Sequence, residues 1–66
     1  MSLRIVIVED EVMVARRTIM FCKKILAERL ESVEHFSVIE DAEDYLSSHD
    51  IDLLLLDLNL NNKDGF

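Results

Sequence analysis

The chain has 66 residues, enough for at most one small domain, and half of them are hydrophobic, which excludes a disordered segment. The formal net charge of −7 argues against direct nucleic-acid binding, and the single cysteine, Cys22, excludes an internal disulfide and fits a reducing compartment. No stretch fits a signal peptide or a membrane span, so we expect a cytoplasmic protein with no membrane partner.

The chain begins with a predicted strand and helix. Residues 4–8 contain a β-branched run without polar alternation, which predicts a strand buried on both faces, and two acids, Glu9 and Asp10, follow it directly. Apolar residues then recur every three or four positions across residues 11–30, which predicts an amphipathic helix. Its predicted inner stripe is Val12, Ala15, Ile19, Cys22 and Leu26. Three further positions are expected to pack as well: Met13, Met20 and Phe21. Five basic residues are expected on the solvated face: Arg16, Arg17, Lys23, Lys24 and Arg29.

A shorter, more polar strand and a short helix are predicted next. Residues 31–40 hold scattered apolar side chains typical of an edge strand: Phe36, Val38 and Ile39. Asp41 is expected to cap the following helix, with Asp44 at the third helical position, and the helix should end near His49. Its predicted inner face is Ala42, Tyr45 and Leu46.

Four consecutive leucines, at positions 53–56, predict a third strand buried on both faces. This run ends abruptly in Asp57, and a loop rich in turn-forming residues follows at positions 59–65. The alternation of strands and helices predicts parallel β-α-β units with right-handed crossovers, and therefore an α/β fold.

An acidic constellation is expected where the first and third strands end. If these strands are neighbours, Glu9, Asp10 and Asp57 meet at the carboxyl edge of the sheet, where open α/β sheets bind ligands. Three carboxylates in one place require a cation or a raised pKa, and hard oxygen ligands favour Mg²⁺. A carboxylate in such a site can also act as a nucleophile and form an aspartyl phosphate.

Two separated motifs carry a family resemblance: Val8-Glu9-Asp10 after the first strand, and Leu56-Asp57-Leu58-Asn59-Leu60 with Asp64-Gly65 after the third. Together they resemble the receiver domain of two-component response regulators. The resemblance covers residues 1–66 as the amino-terminal half of such a domain. It implies a flavodoxin-like, doubly wound parallel sheet truncated to β-α-β-α-β, with strand order 2-1-3. Asn61 stands where proline is usual in this family.

The resemblance also implies a role for each matching residue. Asp57 would be the phosphoacceptor, taking a phosphoryl group from a partner histidine kinase or phosphotransfer protein. Asp10 would bind Mg²⁺ directly, Glu9 would hold it through water, and Asn59 would offer its backbone carbonyl. Such a chain is a signalling domain and not a turnover enzyme.

The rest of the family's site is expected outside this chain. The family uses a Thr or Ser after strand four and a Lys after strand five, and the sequence ends at Phe66 before either. Lys63 is too early to replace that lysine. We therefore expect a truncated receiver whose output domain is not visible.

Three alternatives remain open. A phosphatase of the haloacid-dehalogenase type also places a nucleophilic Asp after an apolar strand, but it needs a second Asp two residues later, where this chain has Asn59. A truncated fragment could act only through association: an uncovered third strand predicts that the chain dimerises, swaps or aggregates. The simplest alternative treats the acids as strand-end and helix-start residues without chemistry.

Phosphate-cradling loops are excluded because Gly65 is the only glycine. The isolated His35 and His49 are expected to have no metal or phosphoryl role.

Overall fold

The computed structural model describes residues 2–57. The elements in chain order are β1 (Leu3–Val8), α1 (Val12–Leu26), a 3₁₀ turn (Ala27–Arg29), β2 (Leu30–Phe36), α2 (Ile39–Leu46) and β3 (Leu53–Leu56). The three strands are parallel and lie in the order β2-β1-β3, so the predicted flavodoxin-like β-α-β-α-β arrangement is confirmed. Asn59, Lys63 and the Asp64-Gly65 turn lie outside the described residues.

The core is built around β1, the central strand. Ile5, Val6, Ile7 and Val8 are all buried, which confirms that this strand is covered on both faces. Val6 and Val8 pack against Ala42 of α2, and larger side chains surround this contact: Phe36, Tyr45, Leu46 and Ile51. The predicted inner face of α2 is therefore confirmed. The buried residue of each helix is an alanine, Ala15 or Ala42, whose small side chain allows close approach of the helix backbone.

The boundary between α1 and β2 differs from the prediction. The helix ends at Leu26 and not near Leu30, because Ala27 has a φ of 47° and leaves the helical conformation. Its backbone N–H bonds to the carbonyl of Lys23, which closes the last turn. β2 then begins at Leu30, where hydrogen bonding to β1 replaces the helical pattern.

The start of α2 is also earlier than predicted. Val38 is the extended N-cap residue and Ile39 opens the helix, so the prediction that Asp41 caps it was wrong, as was the related role for Asp44. β2 ends at Phe36, and only Ser37 and Val38 separate it from the helix. Glu40 and Asp41 instead lie in the first turn, where acidic side chains favour the helix dipole.

The outer side of α1 carries apolar residues that were expected to pack. Val12, Met13, Met20 and Phe21 are 58, 70, 69 and 56% exposed, so that prediction was wrong. Positions 13, 20 and 21 share the helix side opposite Ala15, and one helix can turn only one side toward a three-stranded sheet. Cys22 is half-buried, in partial agreement with its predicted place in the core.

The leucine strand β3 lies at an edge of the sheet. Leu53, Leu54 and Leu56 are 44, 41 and 42% exposed, so the prediction of burial on both faces was wrong. The helices pack over β1 and β2, which explains why β3 is uncovered among the described residues.

Candidate phosphoacceptor site at the carboxyl edge of the sheet

The backbone holds Glu9 and Asp57 at the same edge of the sheet. Glu9 follows the last residue of β1 and donates its N–H to the carbonyl of Phe36 at 2.9 Å. Asp57 follows the last residue of β3 and donates its N–H to the carbonyl of Val8 at 3.1 Å. Each acid is thus anchored to the neighbouring strand, and the predicted convergence of these two residues is confirmed.

The Glu9 side chain is buried, with only 3% of the residue exposed, and no other charged residue among positions 2–57 is buried. Its carboxyl group is hydrogen bonded to that of Asp57, and this bond is the largest cause of a raised pKa of Glu9. The N–H of Glu11, which donates to Oε2 of Glu9 at 3.0 Å, opposes the rise. Burial and the charges of Asp57 and Asp10 add to the rise.

Asp57 lies between two shallow grooves, each of about 250 Å³. The first lies on the α1 side, where Glu9, Val14 and Thr18 are among its walls. The second is lined by Asp10, by the residues that lead into α2, and again by Asp57. Asp10 is exposed, unlike Glu9, so the two consecutive acids face different environments. Asp57 is therefore within reach of a ligand that enters from either groove.

The donor set suits a hard cation, although the described residues do not complete a metal site. Across positions 2–57, no group of three or more His, Cys, Asp or Glu side chains is arranged to hold a metal ion. Asn59, the remaining predicted ligand, lies outside this range. Glu9 and Asp57 supply carboxylate oxygens, which Mg²⁺ prefers over nitrogen or sulfur ligands. A cation between the two carboxylates would relieve the repulsion that Asp57 exerts on Glu9, and on this ground the pair fits Mg²⁺.

His35 contacts this site, which sequence reasoning did not anticipate. Its Nε2 atom donates to the main-chain oxygen of Glu9 at 2.8 Å, and the residue is half-buried. The contact arises because β2 is parallel to β1, with His35 opposite Ile7. A predicted strand that ended at residue 36, and not at residue 40, would have placed His35 beside the end of β1. His49 lies elsewhere, stacked on Tyr45 with ring centroids 3.9 Å apart.

Comparisons with protein-family models, curated proteins and solved structures found no match to this chain. Within positions 2–57, none of the helices has the length and apolar character needed to cross a membrane.

Proposed function

We propose that this chain is the amino-terminal half of a response-regulator receiver domain and that Asp57 accepts a phosphoryl group in a Mg²⁺-dependent reaction. The donor would be a phosphohistidine on a partner kinase or phosphotransfer protein, and the setting would be the cytoplasm. One observation carries this proposal: the carboxyl groups of Glu9 and Asp57 meet at the carboxyl edge of a sheet with strand order 2-1-3. Ligands bind at this edge in open α/β sheets.

The chemistry assigns distinct tasks to the two acids. An oxygen of Asp57 forms a bond to phosphorus as the bond from phosphorus to the donor histidine breaks, and the departing imidazole takes up a proton. Glu9 supplies a second carboxylate oxygen beside that of Asp57. When bound, Mg²⁺ would neutralise the incoming phosphoryl oxygens.

The position of Asp57 favours attack on an incoming group. Its backbone is fixed by the hydrogen bond to Val8, while the residue remains exposed beside both grooves. Glu9 is buried and cannot be approached in the same way. We therefore assign the nucleophile to Asp57 and the supporting role to Glu9. His35 positions Glu9 through its main chain and does not touch the reacting atoms.

The test is an intact-mass measurement after incubation with a small-molecule phosphoryl donor, with and without Mg²⁺. We expect a Mg²⁺-dependent adduct of one phosphoryl group on the unmodified chain and none on Asp57→Asn. Asp50→Asn is the matched control, because Asp50 is exposed and lies before β3, away from the carboxyl edge. Circular dichroism establishes that each variant is folded. An adduct that persists in Asp57→Asn, or no adduct on the folded unmodified chain, would contradict the proposal.

Mg²⁺ binding is tested separately from phosphorylation. A cation that binds only the folded chain raises its thermal midpoint by mass action. We expect such a rise with Mg²⁺ for the unmodified chain and a smaller one for Glu9→Gln, which keeps the shape of the side chain and removes its charge. An equal rise in both would show that Glu9 does not contribute to binding.

A further inference from the structure

We infer that Asp52 positions Asp57 for the proposed reaction by fixing the register in which β3 pairs with β1. Asp52 lies directly before β3 and contacts Arg4 near the beginning of β1, whereas Glu9 and Asp57 lie at the opposite ends of these strands. Asp52 therefore acts on the site through the strand between the two acids. This role rests on the proposed function, although the register itself can be measured without phosphorylation.

The four leucines of β3 do not specify a register by themselves. In the structure, they pair in order with Ile5–Val8. A shift by one residue exchanges the two faces of a strand, which is normally prevented because apolar and polar side chains would change places. Here such a shift replaces one leucine by another on each face. Ile51 is apolar as well, so Asp52 is the only polar residue from position 51 to position 56.

The acids at the two ends of the leucine run oppose shifts in opposite directions. A shift of one residue in the first direction would draw Asp57 from the end of β3 into the apolar pairing, opposite Val8. A shift in the second direction would place Asp52 opposite Ile5 and carry Asp57 past Glu9 by about 3.3 Å. That displacement breaks the hydrogen bond between the carboxyl groups of Glu9 and Asp57, because such bonds span only about 2.5 to 3.0 Å. Asp52 is the residue that opposes this second shift.

Asp52 is held in its place by three hydrogen bonds to Arg4. Its N–H donates to the Arg4 carbonyl at 2.8 Å, and its Oδ2 accepts the backbone N–H of Arg4 at 2.8 Å. The Nε of Arg4 donates to the same oxygen at 3.3 Å. Two of these bonds use the main chain of Arg4, so they fix the position of Asp52 along β1 and not only a contact between side chains. A shifted register loses both.

The test replaces Asp52 with three different side chains. Asp52→Leu removes the acceptor for Arg4 and makes residues 51–56 one continuous apolar run, so we expect it to populate the register shifted past Glu9. Asp52→Asn retains an oxygen that can accept the Arg4 N–H and should keep the observed register. Asp52→Ala removes the acceptor without adding bulk. Asp50→Leu is the matched control, because Asp50 is exposed and precedes the paired residues.

NMR of the isotope-labelled 66-residue chain reports the register. In the unmodified chain, backbone protons of Val8 and Leu56 should show cross-strand contacts, since these residues are paired. In Asp52→Leu these contacts should weaken, and contacts between Val8 and Leu55 should appear. A change that only destabilises the fold would weaken all cross-strand contacts and create no new ones.

The rate of phosphorylation gives the second measurement. With Mg²⁺ and a small-molecule phosphoryl donor, we expect the initial rate of adduct formation at Asp57 to fall by about fivefold in Asp52→Leu, the effect of one net hydrogen bond. Asp52→Asn should restore the rate, and Asp50→Leu should match the unmodified chain. Rates are compared per folded chain, with the folded fraction measured by circular dichroism.

Several results would overturn the inference. They are the observed register alone in folded Asp52→Leu, an equal shift in Asp52→Asn, and a shifted register with an unchanged rate. If Asp52→Leu does not fold, Asp52→Ala is judged by the same criteria. Loss of folding in both variants would also overturn the inference, because a shifted strand keeps its leucine pairing. Absence of an adduct on the unmodified chain contradicts the proposed function and leaves the NMR measurement to decide whether Asp52 fixes the register.

Discussion

The strand β1, which Glu9 follows, depends on the packing of Val6, and shortening the Val6 side chain is a direct test of the fold. Val6 is fully buried, with 0% of the residue exposed, and it belongs to the cluster formed with Val8 and Ala42. Val6→Ala removes two methyl groups. Each buried carbon contributes about 0.8 kcal/mol, and the cavity left behind adds to the loss, so we expect a destabilisation of about 2 to 3 kcal/mol.

This loss is large for so small a domain. A chain of this length has a total unfolding free energy of roughly 3 to 10 kcal/mol. A decrease of about 2 kcal/mol raises the ratio of unfolded to folded chains by about thirtyfold. The fraction of chains with an assembled site would fall with the folded fraction, because Glu9 and Asp57 are brought together only when β1 and β3 are paired.

Urea denaturation followed by circular dichroism measures this effect, at one low protein concentration so that self-association does not contribute. Val12→Ala is the matched control: it removes the same two methyl groups from a residue that is 58% exposed at the start of α1. We expect its unfolding free energy to change by no more than about 0.5 kcal/mol. Equal losses in both variants would refute the reasoning, since burial would then not determine the cost.

Three further predictions concern the acids and their neighbours. The hydrogen bond to Asp57 raises the pKa of Glu9 above its ordinary value of 4.5. The contribution of Glu9 to the unfolding free energy should therefore be largest below pH 4.5 and decline as pH rises through the folded pKa. In Glu9→Gln, the urea midpoint should no longer show this decline with pH. The pKa of Asp52 is lowered below 3.8, chiefly because its carboxylate accepts a hydrogen bond from the backbone N–H of Arg4. The Arg4 side chain lowers it further, and burial opposes the shift. The contribution of Asp52 to the unfolding free energy is therefore present above pH 3.8 and lost as pH falls through its pKa in the folded state. In Asp52→Asn, the urea midpoint should fall less at low pH than it does in the unmodified chain. His35→Leu removes the hydrogen-bond donor to the main chain of Glu9 and should raise the Mg²⁺ concentration needed for half-maximal phosphorylation. His35→Gln can still donate and should need the same Mg²⁺ concentration as the unmodified chain. Equal behaviour of the two variants would exclude a positioning role for His35.

The strand ends were predictable from the sequence because the relevant pattern is local. An apolar run that stops at an acid places that acid at the strand terminus, which is why Glu9 and Asp57 could be located in advance. The end of α1 was not predictable in this way. Leu30 continues the helical spacing of Leu26, and the helix ends through a positive φ at Ala27, where glycine or asparagine is usual. Because alanine gives no such signal, the early end of the helix was missed.

The sequence also did not determine which side of a helix or strand is covered by its neighbours. Periodicity identifies residues that share a helix side, but the neighbouring elements decide whether that side is buried. Met20 and Phe21 are as apolar as the buried residues and lie on the uncovered side of α1. The same reasoning applies to Leu54. Its place in a strand was predictable from the sequence, whereas its exposure depends on which elements lie next to β3.

Glu9 is the residue whose presence is hardest to explain by packing alone. A buried carboxyl group whose pKa is raised by its contact with Asp57 becomes unfavourable as pH rises. A glutamine could accept the Glu11 N–H while also donating to Asp57. A purely structural role would therefore be better served by an uncharged side chain. Placing two acids in contact has an advantage only if something positively charged relieves the repulsion between them. For this reason the raised pKa of Glu9 and the proposed Mg²⁺ dependence of Asp57 are two consequences of one arrangement.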